Sequence, residues 1–328
     1  MPTTERVITL EQGLTMIVTD LHGDGELYER YRDRFLALRA QGKADTLIIT
    51  GDYIHREGAE ECDASLDIAL DLIALKRELG DDLIVLLGNH ELPHLYHFSL
   101  AKGNTLYTPR FERALGEHRN QVLGFFAHSP FYVRTAAGVA ICHAGSFPEA
   151  HNPAALKKLF TFSHQALMLE TLGQIPAERR PALRDEIARQ SGLRYPLLAK
   201  HYLAVSGPDD PRYDDYLIGV FAGQQPDFQL LWSAFFNANE LDYGEEAYAT
   251  HVAALLAGLS AGYVEQQILV TGHKKSHRGC ELVAGGQQVR LASGSHARPY
   301  ESAKYVLFDA GAPIKDARTL TIGLGSVF

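Results

Sequence analysis

The sequence predicts an α/β fold, and three observations in its first half carry that prediction. Short apolar, β-branched runs recur at Leu14 to Thr19, Thr46 to Thr50 and Leu83 to Leu87. Between them, apolar residues repeat at three- and four-residue steps, the period of one helix face. Each run also ends at a side chain able to do chemistry: Asp20 after the first, Gly51-Asp52 after the second, Gly88-Asn89 after the third.

Taken in order, Leu14-Thr15-Met16-Ile17-Val18-Thr19 reads as a strand that stops at a carboxylate. Tyr28, Tyr31, Phe35 and Leu38 then mark one face of a helix, and Thr46 to Thr50 forms the second strand. Leu66, Leu70 and Ile73 mark a second amphipathic helix, with Gly80 as its stop. Leu83 to Leu87 is the third strand. This β-α-β-α-β order implies a parallel sheet with crossover helices, so the three strand ends lie along one edge. Ligands of open α/β sheets collect outside the carboxyl ends of strands. Between residues 153 and 262 the character changes to helical segments, Ala154 to Leu172 and Ala177 to Gln190 among them, punctuated by prolines. The expectation is a single domain over 1–328 with a mostly helical insertion at about 153–262. Within it, Gly207 to Tyr216 reads as an exposed loop. Ile268–Thr271, Glu281–Val283, Val289–Ala292 and Tyr305–Asp309 read as short strands of a second sheet.

At 328 residues, 46% hydrophobic and 22% charged, the composition is that of a globular protein. A net charge of −9 argues against a protein that coats nucleic acid or anionic lipid, which select for basic faces. Three scattered cysteines, Cys62, Cys142 and Cys280, do not make a disulfide framework. Met1 to Thr9 is polar, without an apolar leader, and no stretch approaches the ~18–20 apolar residues that span a bilayer. A cytoplasmic location with no membrane partner is expected; the oligomeric state cannot be read.

The chemistry sits in five places. In Asp20-Leu21-His22-Gly23 the two polar side chains are two residues apart and point to the same side of an extended strand end, so both reach one ion. In Gly51-Asp52-Tyr53-Ile54-His55-Arg56, Asp52 can bridge two cations, and Arg56 offers a planar fork to phosphate oxygens. In Gly88-Asn89-His90-Glu91, Asn89 supplies an amide oxygen, and His90 can protonate a leaving alkoxide. His143 and His273 each end an apolar run beside glycine. Taken singly, Asp-x-His also fits a solvated turn, Arg56 a surface salt bridge, and His143 and His273 structural histidines.

Together, in this order, the five elements resemble the calcineurin-like metallophosphoesterase superfamily and, within it, the phosphoprotein-phosphatase branch of bacterial type. Leu230-Leu231-Trp232-Ser233 resembles that branch's Leu-Trp-Ser segment. The resemblance implies a sandwich of two mixed β-sheets flanked by helices. It implies a first ion on Asp20, His22 and Asp52, and a second on Asp52, Asn89, His143 and His273. The ions would be manganese, iron, zinc or cobalt, with manganese favoured. It further implies catalytic roles for Asp52, Arg56 and His90, and substrate contacts from Arg56, Asn89 and His90. The reaction implied is direct attack of a metal-bridging hydroxide on a phosphomonoester, phosphoproteins included.

Three departures from that pattern bear on substrate. His55 stands where the family has an Asp supporting the acid histidine. No arginine follows the Trp-Ser marker, leaving Arg290, Arg298 or a lysine as substitutes. Ala292-Ser293-Gly294-Ser295-His296 replaces the protein-phosphatase signature near the C-terminus. These keep a dinucleoside polyphosphate hydrolase open as the alternative, with a non-catalytic metal-binding module as the third reading. His277 reads as a loop histidine at the site's rim, and His94 and His97 as helix-face residues rather than ligands.

Overall fold

The computed structural model describes residues 5–328. Residues 1–4 of the polar start lie outside the described residues. Two sheets face each other. The first has five strands in the order β15-β14-β2-β3-β4: β2 Leu14–Val18, β3 Thr46–Ile49, β4 Leu83–Val85, β14 Tyr305–Asp309 and β15 Leu324–Gly325. The second has six in the order β1-β7-β8-β9-β12-β11: β1 Val7–Leu10, β7 Tyr132–Thr135, β8 Val139–Cys142, β9 Ile268–Thr271, β11 Cys280–Val283 and β12 Gln288–Leu291. Two small ribbons complete the strands, β5 Ala101–Lys102 with β6 Thr105–Leu106, and β10 Ser276–His277 with β13 Ala297–Arg298.

Strands β2, β3 and β4 pair in parallel, as the β-α-β-α-β reading requires, with helices α1 Gly25–Ala40 and α2 Ser65–Leu79 as the crossovers. Their runs are continuously apolar because both faces are buried. Ile17, Ile48 and Ile84 point into the layer between the sheets, where they meet Ile141, Val270 and Val289. Met16, Val18, Leu47 and Val85 point the other way, onto the helices. Strand alternation thus builds both layers from one sequence pattern. In the second sheet, β8 and β9 also run parallel, so His143 and His273 emerge on the same edge.

The structure corrects parts of the reading. Tyr305–Asp309 does not join the second sheet; it pairs antiparallel with β2 in the first. Edge strand β1, whose Val-Ile-Thr-Leu run is as long as that of β3, and its neighbour β7 are strands the sequence reading did not name. After α3 Leu92–Tyr96, α4 Tyr107–Leu115 and α5 Arg119–His128, eight helices follow. They are α6 Pro153–Phe160, α7 His164–Gln174, α8 Arg180–Ser191, α9 Tyr195–Leu203, α10 Asp215–Ala222, α11 Pro226–Phe235, α12 Glu240–Tyr243 and α13 Glu245–Ser260. The stretch 207–216 is a run of turns leading into α10, mostly half-buried rather than exposed, because Arg212 reaches inward to Glu112 while Asp210 ties the turns to Ser206. A last short helix, α14 Ala317–Thr321, closes the chain. No helix among the described residues is long and apolar enough to cross a membrane.

Candidate metal centre

Five strand ends deliver the six candidate ligands to one place. Asp20 and His22 follow β2, Asp52 follows β3, Asn89 follows β4, His143 follows β8 and His273 follows β9. Asp52 is the meeting point: its Oδ2 lies 3.5 Å from His143 Nε2, 3.9 Å from His90 Nε2 and 4.0 Å from His22 Nε2. Its Oδ1 accepts the His90 backbone N–H at 2.8 Å. Asp20, His22, Asp52, Asn89 and His143 are buried, while His273 is partly open to the cleft.

The turns that carry these side chains are strained. Among the described residues nine non-glycine positions have positive φ, and Asp20, His22, Asp52, His55 and His273 are five of them. Strain of ~1–3 kcal/mol at such positions persists where surrounding contacts over-determine it. Here Glu91, fully buried, supplies some of those contacts: its Oε2 accepts the backbone N–H of Asp52 at 3.1 Å and of Gly88 at 2.8 Å, tying two loops together. Gly88 is required by crowding, since a Cβ there would lie 2.3 Å from Asp52 Oδ1.

The orientation of the two late histidines is fixed from outside. His143 Nδ1 donates to the Thr50 carbonyl at 3.0 Å, and His273 Nε2 donates to the Phe236 carbonyl at 3.2 Å. That leaves His143 Nε2 and His273 Nδ1 as lone pairs, 2.8 Å and 3.0 Å from Asn89 Oδ1. Three acceptor lone pairs pointed at one another need a cation between them. The Trp-Ser helix explains itself here: α11 runs into Phe236, whose carbonyl holds His273 and whose ring stacks on Trp232 at 4.0 Å between centroids.

Electrostatics support the same conclusion. Burial pushes the carboxyls of Asp20 and Glu91 up to about 7, and burial together with Glu91 and Asp20 pushes Asp52 well above the usual range. Burial pulls His22 down to about 4 and His143 down to about 3. A buried set of carboxylates and neutral imidazoles is what a divalent cation stabilises. His22 Nε2 and His296 Nδ1 are also buried without a hydrogen-bond partner among the described residues. Among the described residues, three groups each present ligand atoms within 4.8 Å of one another: Asp20, His22 and His296; His22, Asp52 and His90; Asp52, His143 and His273. The donor set fits a metal site.

His296 was not identified from the sequence as a site residue. It follows β12 in the run that replaces the C-terminal signature, and its Nδ1 lies 3.6 Å from Asp20 Oδ1. No motif marks it. The sequence offers only that His296 comes four residues after the strand-like run Val289–Ala292.

The centre opens into a cleft of about 650 Å³ lined by His22, Arg56, His90, Lys102, Tyr107 and His296 among others. Arg56 bonds Asp24 through one nitrogen at 3.1 Å, with the side chain one-third exposed. Lys102, also unmarked by any motif, reaches the cleft from the β5–β6 ribbon and pairs with Glu57 at 2.7 Å. Arg290 is not available as the second phosphate cation: it is buried and held by Glu240. Arg298 bonds the carbonyls of Ser295 and Ala297, and does not line the cleft. His277 is exposed on the two-residue strand β10 and does not line the cleft either.

His55, in place of the supporting Asp, does give His90 a partner: the two Nδ1 atoms are 3.1 Å apart. His94 is no ligand, yet it is fully buried behind His55, with Nε2 2.9 Å from His55 Nε2 and Nδ1 2.8 Å from Glu112 Oε1. His97 caps α3 and lies 3.6 Å from Asp215. Burial alone would raise the Glu112 carboxyl, but the hydrogen bond from His94 and the charge and hydrogen bond of Arg119 outweigh it and bring it down to about 2. A depressed carboxyl contributes stability above its unfolded value of ~4.5, lost as pH falls towards 2. At pH 7, Glu112→Gln should therefore cost about 3 kcal/mol relative to wild type. Chemical unfolding of both proteins at pH 7 and pH 3 checks this, and the gap should shrink at pH 3. A gap unchanged with pH would exclude it.

A family model of calcineurin-like phosphoesterases matches residues 14–202. The chain belongs to that family and is a metal-dependent phosphoesterase. Among solved structures, a Saccharomyces cerevisiae protein serine/threonine phosphatase is similar at 11% identity, covering 92% of this chain and 76% of that one, with a TM-score of 0.48. A cold-active protein-tyrosine phosphatase of a psychrophilic Shewanella species is similar at 13% identity, covering 95% and 78%, with a TM-score of 0.47. A metallophosphoesterase from Sphaerobacter thermophilus is similar at 15% identity, over 41% of this chain and 47% of that one, with a TM-score of 0.25. No curated protein matches the chain.

Proposed function

We propose that the protein is a phosphomonoesterase working with two metal ions, within a single domain whose helices between Pro153 and Ser260 form an insertion. The observation that carries this reading is the convergence of six donor side chains, from five strand ends, around Asp52. Asp20, His22 and Asp52 hold one ion; Asp52, Asn89, His143 and His273 hold the other. Two bound ions would supply a polarised phosphoryl oxygen and a water acidified towards neutrality. Manganese, iron, zinc and cobalt all suit these mixed ligands, and manganese is the first choice.

The chain's own residues do the rest. Arg56 keeps its bond to Asp24 through one nitrogen and turns the remainder of its fork to the phosphate oxygens. Lys102, on the β5–β6 ribbon and paired with Glu57, supplies a second cationic group lining the cleft. His90, its Nε2 facing Asp52, carries the proton: it accepts one from the attacking water and hands it to the leaving oxygen. The cell's cytoplasm, with phosphoproteins or small phosphomonoesters as substrate, is the setting we propose. A hydrolysis panel of phosphopeptides, small phosphomonoesters and dinucleoside polyphosphates, run with each metal in turn, tests the reading. Preference for the anhydrides would overturn it.

His296 completes the first ion's protein ligands in this proposal. His296→Ala should weaken that ion on the order of 100-fold, at least the 10–100-fold that groups merely supporting ligands contribute. Metal content per chain after dialysis should fall from two towards one. Retention of two ions would remove His296 from the ligand set.

A further inference from the structure

We propose that Glu112 is a positioning residue for His90, acting through His94 and His55 to set which ring nitrogen of His90 carries its proton. The inference rests on the reading of His90 as the proton carrier. It stands on a buried hydrogen-bonded line from the cleft to α4: His90 Nδ1 to His55 Nδ1 at 3.1 Å, His55 Nε2 to His94 Nε2 at 2.9 Å, and His94 Nδ1 to Glu112 Oε1 at 2.8 Å. His55, His94 and Glu112 are all at least 94% buried, so no water shares these bonds freely. The rings are also fixed by packing. His55 stacks on Tyr107 with planes 7° apart, and His94 meets Phe111 edge-on at 4.9 Å.

A row of three neutral imidazoles can be protonated in either of two directions, and bond lengths alone do not choose. The charged end chooses. Glu112 Oε2 is taken by Arg119 Nε at 2.8 Å and Arg212 Nη1 at 2.9 Å, both of which can only donate. Oε1 is an acceptor as well, so His94 must place its proton on Nδ1. Its Nε2 is then a lone pair, which requires the proton of His55 on Nε2. His55 Nδ1 is in turn a lone pair, which requires the proton of His90 on Nδ1. His90 Nε2 is left bare and faces the cleft, 3.9 Å from Asp52 Oδ2.

This is the form the proposed reaction needs. Nε2 takes one proton as water becomes the nucleophile, giving an imidazolium. It returns that proton to the leaving oxygen, and His90 ends as it began. Glu112 neither gains nor loses a proton. It acts as the negative end of the line while His90 is positive. Arg212 belongs to the turns before α10, so the helical stretch after Pro153 helps to fix the charged end.

The test reads tautomers directly. In zinc-loaded protein with 15N-labelled histidine, long-range proton–nitrogen NMR should place the proton on Nδ1 of His90 and His94 and on Nε2 of His55. This arm needs no variant, and a proton on His90 Nε2 in the wild type would overturn the proposal. In Glu112→Gln the amide oxygen must face Arg119 and Arg212, which turns the NH2 towards His94 and reverses the row. His90 should then carry its proton on Nε2, with kcat down roughly 100-fold and KM unchanged, as when a triad histidine is held in the wrong tautomer. A folded Glu112→Gln protein that kept the proton on His90 Nδ1 would overturn the proposal. A reversed row with unchanged kcat would uphold the positioning by Glu112 and overturn instead the reading of His90 as proton carrier.

Discussion

Asp52→Asn should abolish almost all turnover while the protein stays folded. Asp52 is 1% exposed; its Oδ1 holds the His90 backbone N–H, and its Oδ2 faces His22, His90 and His143. Asparagine keeps an oxygen for the His90 N–H but removes the charge that two ions would share. Losing one preorganised electrostatic contact costs roughly 10²–10³ in kcat, and a shared ligand should cost at least the upper end of that. Stability should move the other way in metal-free protein. A carboxyl whose folded value is raised contributes stability below its unfolded value, lost as pH rises through the folded value. Above the unfolded value of ~4, folding must therefore either bury the Asp52 charge beside Glu91 and Asp20 or bind a proton there, and asparagine removes both costs. The metal-free variant should melt above metal-free wild type, with kcat reduced about 1,000-fold in matched metal. Turnover above a tenth of wild type would put the chemistry somewhere else.

The parts of this arrangement visible in the sequence are those set by short-range pattern. Asp20, Asp52 and Asn89 were legible because β2, β3 and β4 are parallel and buried on both faces, so each ends abruptly where the apolar run meets a polar turn. His143 and His273 were legible for the same reason in the second sheet. What was not legible depends on pairing across long separations. Tyr305–Asp309 has the alternation of a strand in either sheet, and only its contact with β2, nearly 300 residues earlier, decides which. His296 reaches Asp20 because β12 lies beside β9, a fact no spacing encodes. The Asp missing at position 55 reads from sequence as a loss. Its replacement is spread over His94 on α3 and Glu112 on α4, which meet only through helix packing. Arg290, one of the substitutes the sequence left open for the missing arginine, is claimed by Glu240 from α12.

Gly272→Ala should be nearly as damaging as loss of a ligand, although it removes no functional group. Gly272 lies between the end of β9 and His273, pressed against the end of β2. A Cβ at this position would fall 1.8 Å from Asp20 Oδ2 and 2.8 Å from Thr19 Cβ, closer than real atoms approach. Asp20 has nowhere to retreat: it is fully buried, and both its oxygens accept the His273 N–H at 2.9 Å. The methyl must therefore displace Asp20, His273 or both, one from each side of the centre. Overpacking of this kind costs ~1–3 kcal/mol. The displacement matters more for chemistry, since a misplacement of about 1 Å costs on the order of 100-fold in rate. Gly124→Ala supplies the comparison. It sits within α5 with nothing among the described residues inside 4 Å of an added Cβ, so it should leave kcat unchanged and stabilise by roughly 0.5–1 kcal/mol. Melting curves, metal content and kcat of the two variants, measured side by side, separate a general glycine effect from crowding at the centre. Equal behaviour of the two would mean that the contact between Gly272 and Asp20 does not hold Asp20 in place.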